Sequence, residues 1–214
     1  MKKRKRRHFS VLYVVGFLFI AAAVILTMNN LNEQETAAEA SEQVMTMLQE
    51  KKAATVKQRP DGVVNVNVQP VATPIPDYII DPTREMPVQN INGNDYIGVL
   101  SMPTIDIELP VMNEWSYPKL KVAPCRYCGT AYLENFVICA HNYDRHFGRI
   151  NTLHQGDKII FTDMAENVFE YEVSSIEILR PYQVSEMKNS GFDLTLFTCT
   201  IGGATRVTVR CTKL

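Results

Sequence analysis

Residues 9–28 (FSVLYVVGFLFIAAAVILTM) carry no charge, and no other feature of the chain constrains it as much. Twenty helical residues rising ~1.5 Å each reach roughly 30 Å, the thickness of a bilayer's hydrocarbon core. Six of the 22 Lys and Arg residues stand just before this run, within the first seven positions. Basic flanks stay on the cytoplasmic side. The reading is therefore a single-pass signal anchor, with residues 1–8 inside the cell and the C-terminal body outside. The boundary Met28-Asn29-Asn30-Leu31 lacks a small-x-small cleavage pattern, and the nearest one, Ala38-Glu39-Ala40, comes too late. Without the basic cluster, 16 basic residues face 23 acidic ones. That balance argues against a polyanion-binding surface and so against nucleic acid as a partner.

Residues 29–93 read as stalk and linker. Between 32 and 54, Ala37, Ala40, Val44, Met47 and Leu48 recur at three- and four-residue steps, the period of an amphipathic helix. The apolar stripe is thin for a coiled coil, so the expectation is a solvated spacer. From Pro60 to Pro87 the chain holds six of its eleven prolines, which excludes continuous helix. This linker is expected to end by wrapping onto the folded body, with Tyr78-Ile79-Ile80 partly covering the functional cleft. Residues 94–214, about 120 residues, suffice for one core.

That body reads as all-β. Short β-branched and aromatic runs at 96–101, 104–109, 135–140, 158–162, 168–179, 194–199 and 206–212 are broken by turn residues, the pattern of a barrel or sandwich of seven or eight strands. In the last run Val207, Val209 and Cys211 take one face while Arg206, Thr208 and Arg210 take the other. Residues 143–153 read as a helical turn.

Five cysteines is an odd number for a body outside the reducing cytosol, so at least one thiol is expected to remain free. Cys199 closes a strand directly before the turn Thr200-Ile201-Gly202-Gly203, a position of access. A thiol becomes a nucleophile beside a base or cation, and acyl transfer to or from an amine also needs a proton carrier. His141 ends another strand, and Arg206 begins the strand that hairpins back from Cys199. Arg210 competes with Arg206 from the same face, and Arg206 is preferred for its nearness to the turn. His146 reads as structural or as a cleft wall, Cys139 and Cys211 as core thiols, and Trp115 and Tyr117 as caps of the barrel.

With these pieces in place the sequence resembles the sortases, membrane-anchored cysteine transpeptidases of Gram-positive bacteria. The resemblance is carried by residues 96–111 (YIGVLSMPTIDIELPV), Cys139-Ala140-His141-Asn142, His146 to Ile150, Gln155-Gly156-Asp157, and Leu194 to Cys199 followed by Arg206. It implies an eight-stranded β-barrel over 94–214. It also implies a thioacyl-enzyme on Cys199, with His141 as general acid and base and Arg206 holding substrate or oxyanion. Thr198, Ile201 and Asn142 would contact substrate. The implied substrate is a sorting signal similar to Leu-Pro-x-Thr-Gly, cut between Thr and Gly. The implied acceptor is an amine of a cell-wall precursor or a pilin lysine, and no cofactor or metal is required. The compact connections 200–205 and 179–192 leave the exact signal open, and with the acceptor amine unspecified the subclass stays open between class B-like and D-like. An alternative from a different class takes Cys125, Cys128, Cys139 and His141 as a zinc-ligand array, making the body a metal-stabilised peptide-binding module. Failing zinc, a Cys125–Cys128 disulfide clip is expected.

Overall fold

The computed structural model describes residues 4–57 and 75–214. Residues 1–3 of the basic segment and 58–74 of the linker lie outside the described residues. The first element is one unbroken helix, α1 (Arg4–Lys57). Its most apolar 18-residue window has a mean hydropathy of 2.7, and none of it is buried, which suits a helix whose solvent is lipid. This fits a single-pass anchor.

The C-terminal half of α1 is not the solvated spacer that its thin stripe suggests. Ala37, Ala38, Ser41, Val44 and Leu48 are buried against the body. Val44 and Leu48 join a cluster with Ile91, Tyr96, Met112 and Leu120. A stripe too narrow for a coiled coil is wide enough when the partner is a sheet, because a flat face reaches more than one row of side chains. Ser41 Oγ donates to the Val122 carbonyl at 2.7 Å and lies 3.3 Å from His146 Nε2.

The body contains nine strands: β1 (Gln89–Ile91), β2 (Asn94–Met102), β3 (Ile107–Met112), β4 (Cys125–Cys128), β5 (Phe136–Cys139), β6 (Lys158–Asp163), β7 (Val168–Leu179), β8 (Leu194–Cys199) and β9 (Arg206–Lys213). They hydrogen-bond in the order β1-β2-β3-β4-β5-β8-β9-β7-β6, and β2 also pairs with β6. That pairing closes eight strands into the expected barrel, with β1 as a short added hairpin. At the seam a glycine is required: a Cβ on Gly98 would collide with the Thr162 carbonyl and the Phe161 ring. Alternation fills the interior, as in β7, where Phe169, Tyr171 and Val173 are buried and Glu170 and Glu172 face out.

Three details differ from the sequence reading. The body reaches back before Asn94, through β1, the buried Met86 and α2 (Asp77–Ile80), whose Tyr78 stacks on Tyr132 at 4.8 Å. The second run starts later than Thr104, because Pro103–Ile105 form a 3-10 turn and the strand begins at Ile107. The C-x-x-C segment is a strand, β4, that pairs Cys125 with Cys139.

Two short helices complete the barrel, α3 (Tyr117–Leu120) and α4 (Val184–Lys188). Arg210, from β9, is fully buried and fastens α4 to the wall. Its guanidinium donates to Glu177 Oε1 at 2.7 Å, to the Glu186 carbonyl at 2.8 Å and to Thr195 Oγ1 at 3.0 Å. A lysine keeps the charge but not this fork. Arg210→Lys is therefore expected to lower stability by about 1–3 kcal/mol, seen as a lower denaturant midpoint at unchanged m-value; an unchanged midpoint would contradict this role.

His146 supplies a second expectation. The Ser41 hydroxyl spends its proton on Val122, so His146 must donate from Nε2, which leaves Nδ1 as a buried lone pair with no partner. Protonation would bury an unpaired charge, and burial accordingly pushes the ring down from 6.5 to about 4. The unfolded chain takes up this proton first as pH falls. Stability is thus fully present above 6.5 and declines by about 3 kcal/mol once pH is below both values. Amide exchange of residues 37–48, corrected for intrinsic rates, should accelerate between pH 6.5 and 4 in the wild type and less in His146→Phe.

Candidate active site

The site is assembled by two neighbours of β8. On one side β5 runs parallel to it in the register Phe136↔Leu194 to Cys139↔Phe197. The Ala140 N–H donates to the Phe197 carbonyl at 3.2 Å, and Thr198 Oγ1 donates to the Ala140 carbonyl at 2.9 Å. His141 stands two residues beyond Cys139, and Cys199 two residues beyond Phe197. The parallel register therefore delivers both to the same barrel edge. On the other side antiparallel β9 places Arg206 opposite Cys199.

Cys199, His141 and Arg206 line one cavity of about 200 Å³. Its walls are largely apolar. Trp115, Tyr127 and Phe197 form a chain of rings with centroids 5.7 Å and 5.2 Å apart, and Tyr117 meets Trp115 edge-on at 5.8 Å. Val184 and Met187 of α4 also line the cavity. An extended apolar peptide segment could lie against such walls.

The thiols separate by environment. Burial pushes the Cys125 thiol up to about 12, and the thiols of Cys128, Cys139 and Cys211 also upward. These four are held in the protonated, unreactive form. Cys199 is partly exposed at the end of β8. Beside it, burial and then the Lys121 ammonium push the His141 imidazole below its usual value, while Glu33 of α1 pulls it up. The His141 ring stacks on Tyr143, centroids 4.9 Å apart. The Arg206 guanidinium donates from Nη1 to the Gly203 and Thr205 carbonyls, each at 3.0 Å, which fixes it against the six-residue turn.

The other sequence-derived residues fall in different places. Thr198 lines the cavity, but its hydroxyl is already engaged with Ala140. Asn142 and Ile201 are not among the cavity-lining residues; Ile201 is 96% exposed on the turn. Arg210 is buried away from the cavity, and His146 sits beneath α1. Tyr78 does not cover the cleft, since it docks against Tyr132 and Phe169, and none of residues 75–88 lines the cavity. Trp115 and Tyr117 are cavity walls rather than barrel caps. Their signal was the chain's one Trp in a turn beside Ser116-Tyr117-Pro118, where exposed aromatics have no packing reason to be.

The alternative readings of the cysteines do not assemble. Cys125 and Cys128 lie three residues apart on one extended strand, about 10 Å, beyond the reach of a disulfide, and all five thiols are free. Among the described residues no three His, Cys, Asp or Glu side chains converge as a metal site. Cys128 turns instead toward Val137 and Leu179.

Comparison with known proteins agrees with this geometry. A Sortase domain model matches residues 100–214, more than half of the chain. Sortase A of Bacillus anthracis is 28% identical over 116 residues, which cover 51% of this chain and 55% of the relative. The chain thus spans about half the length of that curated relative. The crystal structure of Streptococcus pneumoniae sortase C superposes with a TM-score of 0.51 at 25% identity, covering 56% of this chain and 68% of that one. A Clostridium perfringens sortase D5 transpeptidase shares the fold, with a TM-score of 0.53 at 19% identity over 84% of this chain and 99% of that one. A closed eight-stranded barrel with this edge, together with the match over its length, places the chain in the sortase family.

Proposed function

We propose that this chain is a membrane-anchored cysteine transpeptidase whose barrel lies outside the cell. It cleaves a sorting signal similar to Leu-Pro-x-Thr-Gly between Thr and Gly and passes the surface protein to an amine. The observation that carries the reading is the meeting of the partly exposed Cys199 thiol, the His141 imidazole and the Arg206 guanidinium in a single apolar-walled cavity.

In this reading the aromatic wall and α4 receive the apolar residues of the signal. The Cys199 thiol passes its proton to His141, and the resulting thiolate attacks the Thr carbonyl carbon, forming the C–S bond and a tetrahedral oxyanion. The Arg206 guanidinium lies on the facing strand, and its N–H groups not used on the turn stabilise that oxyanion or hold the signal's backbone. The C–N bond then breaks, and His141 gives its proton to the departing Gly amine. In the second half the acceptor amine loses a proton to His141 and attacks the thioester, and the thiolate leaves. The acceptor is an amine of a cell-wall precursor or a pilin lysine; both meet the same thioester. Thr198 serves by fixing the β5–β8 seam. Neither half requires a cofactor.

Incubating purified protein with a panel of Leu-Pro-x-Thr-Gly-like peptides should give, by intact mass, an adduct equal to the N-terminal peptide fragment. Cys199→Ala should give none. Arg206→Lys should slow acylation by about 10²–10³-fold. A folded wild type that forms no adduct with any peptide would overturn the proposal.

The direction of the His141 shift makes a second expectation. Amine attack on the preformed thioester needs the uncharged imidazole, so its rate, measured at constant concentration of free amine, should rise with pH and level off above the His141 value. Because burial lowers that value, the half-rise should fall below 6.5. A half-rise above 6.5 would assign the step to another base.

A further inference from the structure

The membrane stem reaches the loop that carries the base. Residue by residue, α1 holds this loop at three points. Glu33 Oε2 accepts from the Tyr143 hydroxyl at 3.4 Å, Gln34 Oε1 accepts from the Asp144 N–H at 3.3 Å, and Ser41 Oγ meets His146 at 3.3 Å. Positions 33, 34 and 41 lie about two turns apart on one side of the helix. The residues they hold follow His141 by two, three and five positions.

Tyr143 is the link to the chemistry. Its ring backs the His141 imidazole, centroids 4.9 Å apart with planes 28° from parallel, and continues to the His146 ring at 5.6 Å. The hydroxyl of that same ring is the group held by Glu33. The other oxygen of Glu33, Oε1, pairs with Lys121 Nζ at 3.2 Å, and Lys121 follows α3, which carries the cavity residues Tyr117 and Leu120. One carboxylate from the stem thus ties together the loop bearing His141 and the segment bearing part of the aromatic wall.

We propose that Glu33 and Tyr143 are positioning residues for His141, with α1 a working part of the active site rather than a tether. This rests on His141 being the acid and base of the transpeptidation. Glu33 lies five residues, about 7.5 Å of helix, beyond the end of the apolar run. The orientation of the base is therefore set within about a helical turn and a half of the membrane-spanning segment. Docking of the stem and competence of the site become one event: when residues 33–41 leave the barrel, the ring behind His141 loses its hold.

The charged and titratable groups facing His141 are Glu33 from α1, Lys121 after α3, Tyr143 and His146 from its own loop, and Arg180, Cys199 and Arg206 around the cavity. Glu33 and Lys121 pull the imidazole in opposite directions. This gives a readout that a merely structural contact would not move.

The test uses the full chain in detergent micelles or nanodiscs. The His141 ring is titrated by 1H–13C NMR, with His141→Gln used to assign its signal. Glu33→Gln should shift the His141 midpoint down, and Lys121→Met should shift it up. Tyr143→Ala should lower kcat for transfer to an amine about tenfold through misplacement of the base, with the KM for the sorting peptide little changed, and Tyr143→Phe should restore part of it. If both charge variants leave the midpoint in place, or move it the same way, the proposal falls. The titration does not depend on turnover. A wild type without transferase activity would sink the function proposed above, while opposite shifts would still establish that the stem reaches His141.

Discussion

The parallel pairing of β5 with β8 is the contact on which the rest of the site depends. Most ladders in this barrel are antiparallel and join strands near in sequence, but this one joins segments more than fifty residues apart. In a parallel pair both C-terminal ends point the same way. The residues that follow them, His141 and Cys199, therefore meet at one edge. A register slip of one residue would turn one of them to the opposite face of its strand. The Thr198 hydroxyl on the Ala140 carbonyl pins the register at the point where it matters.

The environment then divides identical chemical groups into different roles. Four thiols are pushed toward permanent protonation by burial, and the fifth stands at the end of its strand beside an imidazole and a guanidinium. The histidines divide in the same way. His146 is enclosed beneath the stem with an unpartnered nitrogen, and His141 is stacked at the cavity. The arginines of β9 do so as well. Arg210 is buried and spends its donors on Glu177, Glu186 and Thr195, whereas Arg206 sits on the turn. In the function proposed above, the roles fall to the copy of each residue that the fold leaves at the cavity rather than in the core.

The stem changes how the molecule is divided. A segment long and apolar enough to cross a membrane and a barrel-docking segment are one continuous helix. A flexible spacer would let the cleft sample many heights and angles above the membrane. A continuous helix packed through Ala37, Ser41, Val44 and Leu48 restricts them.

Much of this is legible in the amino-acid sequence. The uncharged run of 9–28, the alternating run of β9, and the placing of Cys199, His141 and Arg206 at strand ends all follow from local pattern, because hydropathy and period are properties of neighbouring residues. What the chain hides is non-local. Ala37, Val44 and Leu48 show a stripe, but not that a sheet would cover it. Cys125 and Cys128 show a spacing, but not that β5 would draw them into a strand. Trp115 and Tyr117 show aromatic rings in a turn, but not the cavity they wall. Asn142 and Ile201 lie beside the key residues in sequence, yet they do not line the cavity. The sequence by itself determined which residues could anchor, fold and react. The tertiary structure decided which of them face one another, because that depends on strand order and register, and these are set by the burial of the whole core at once.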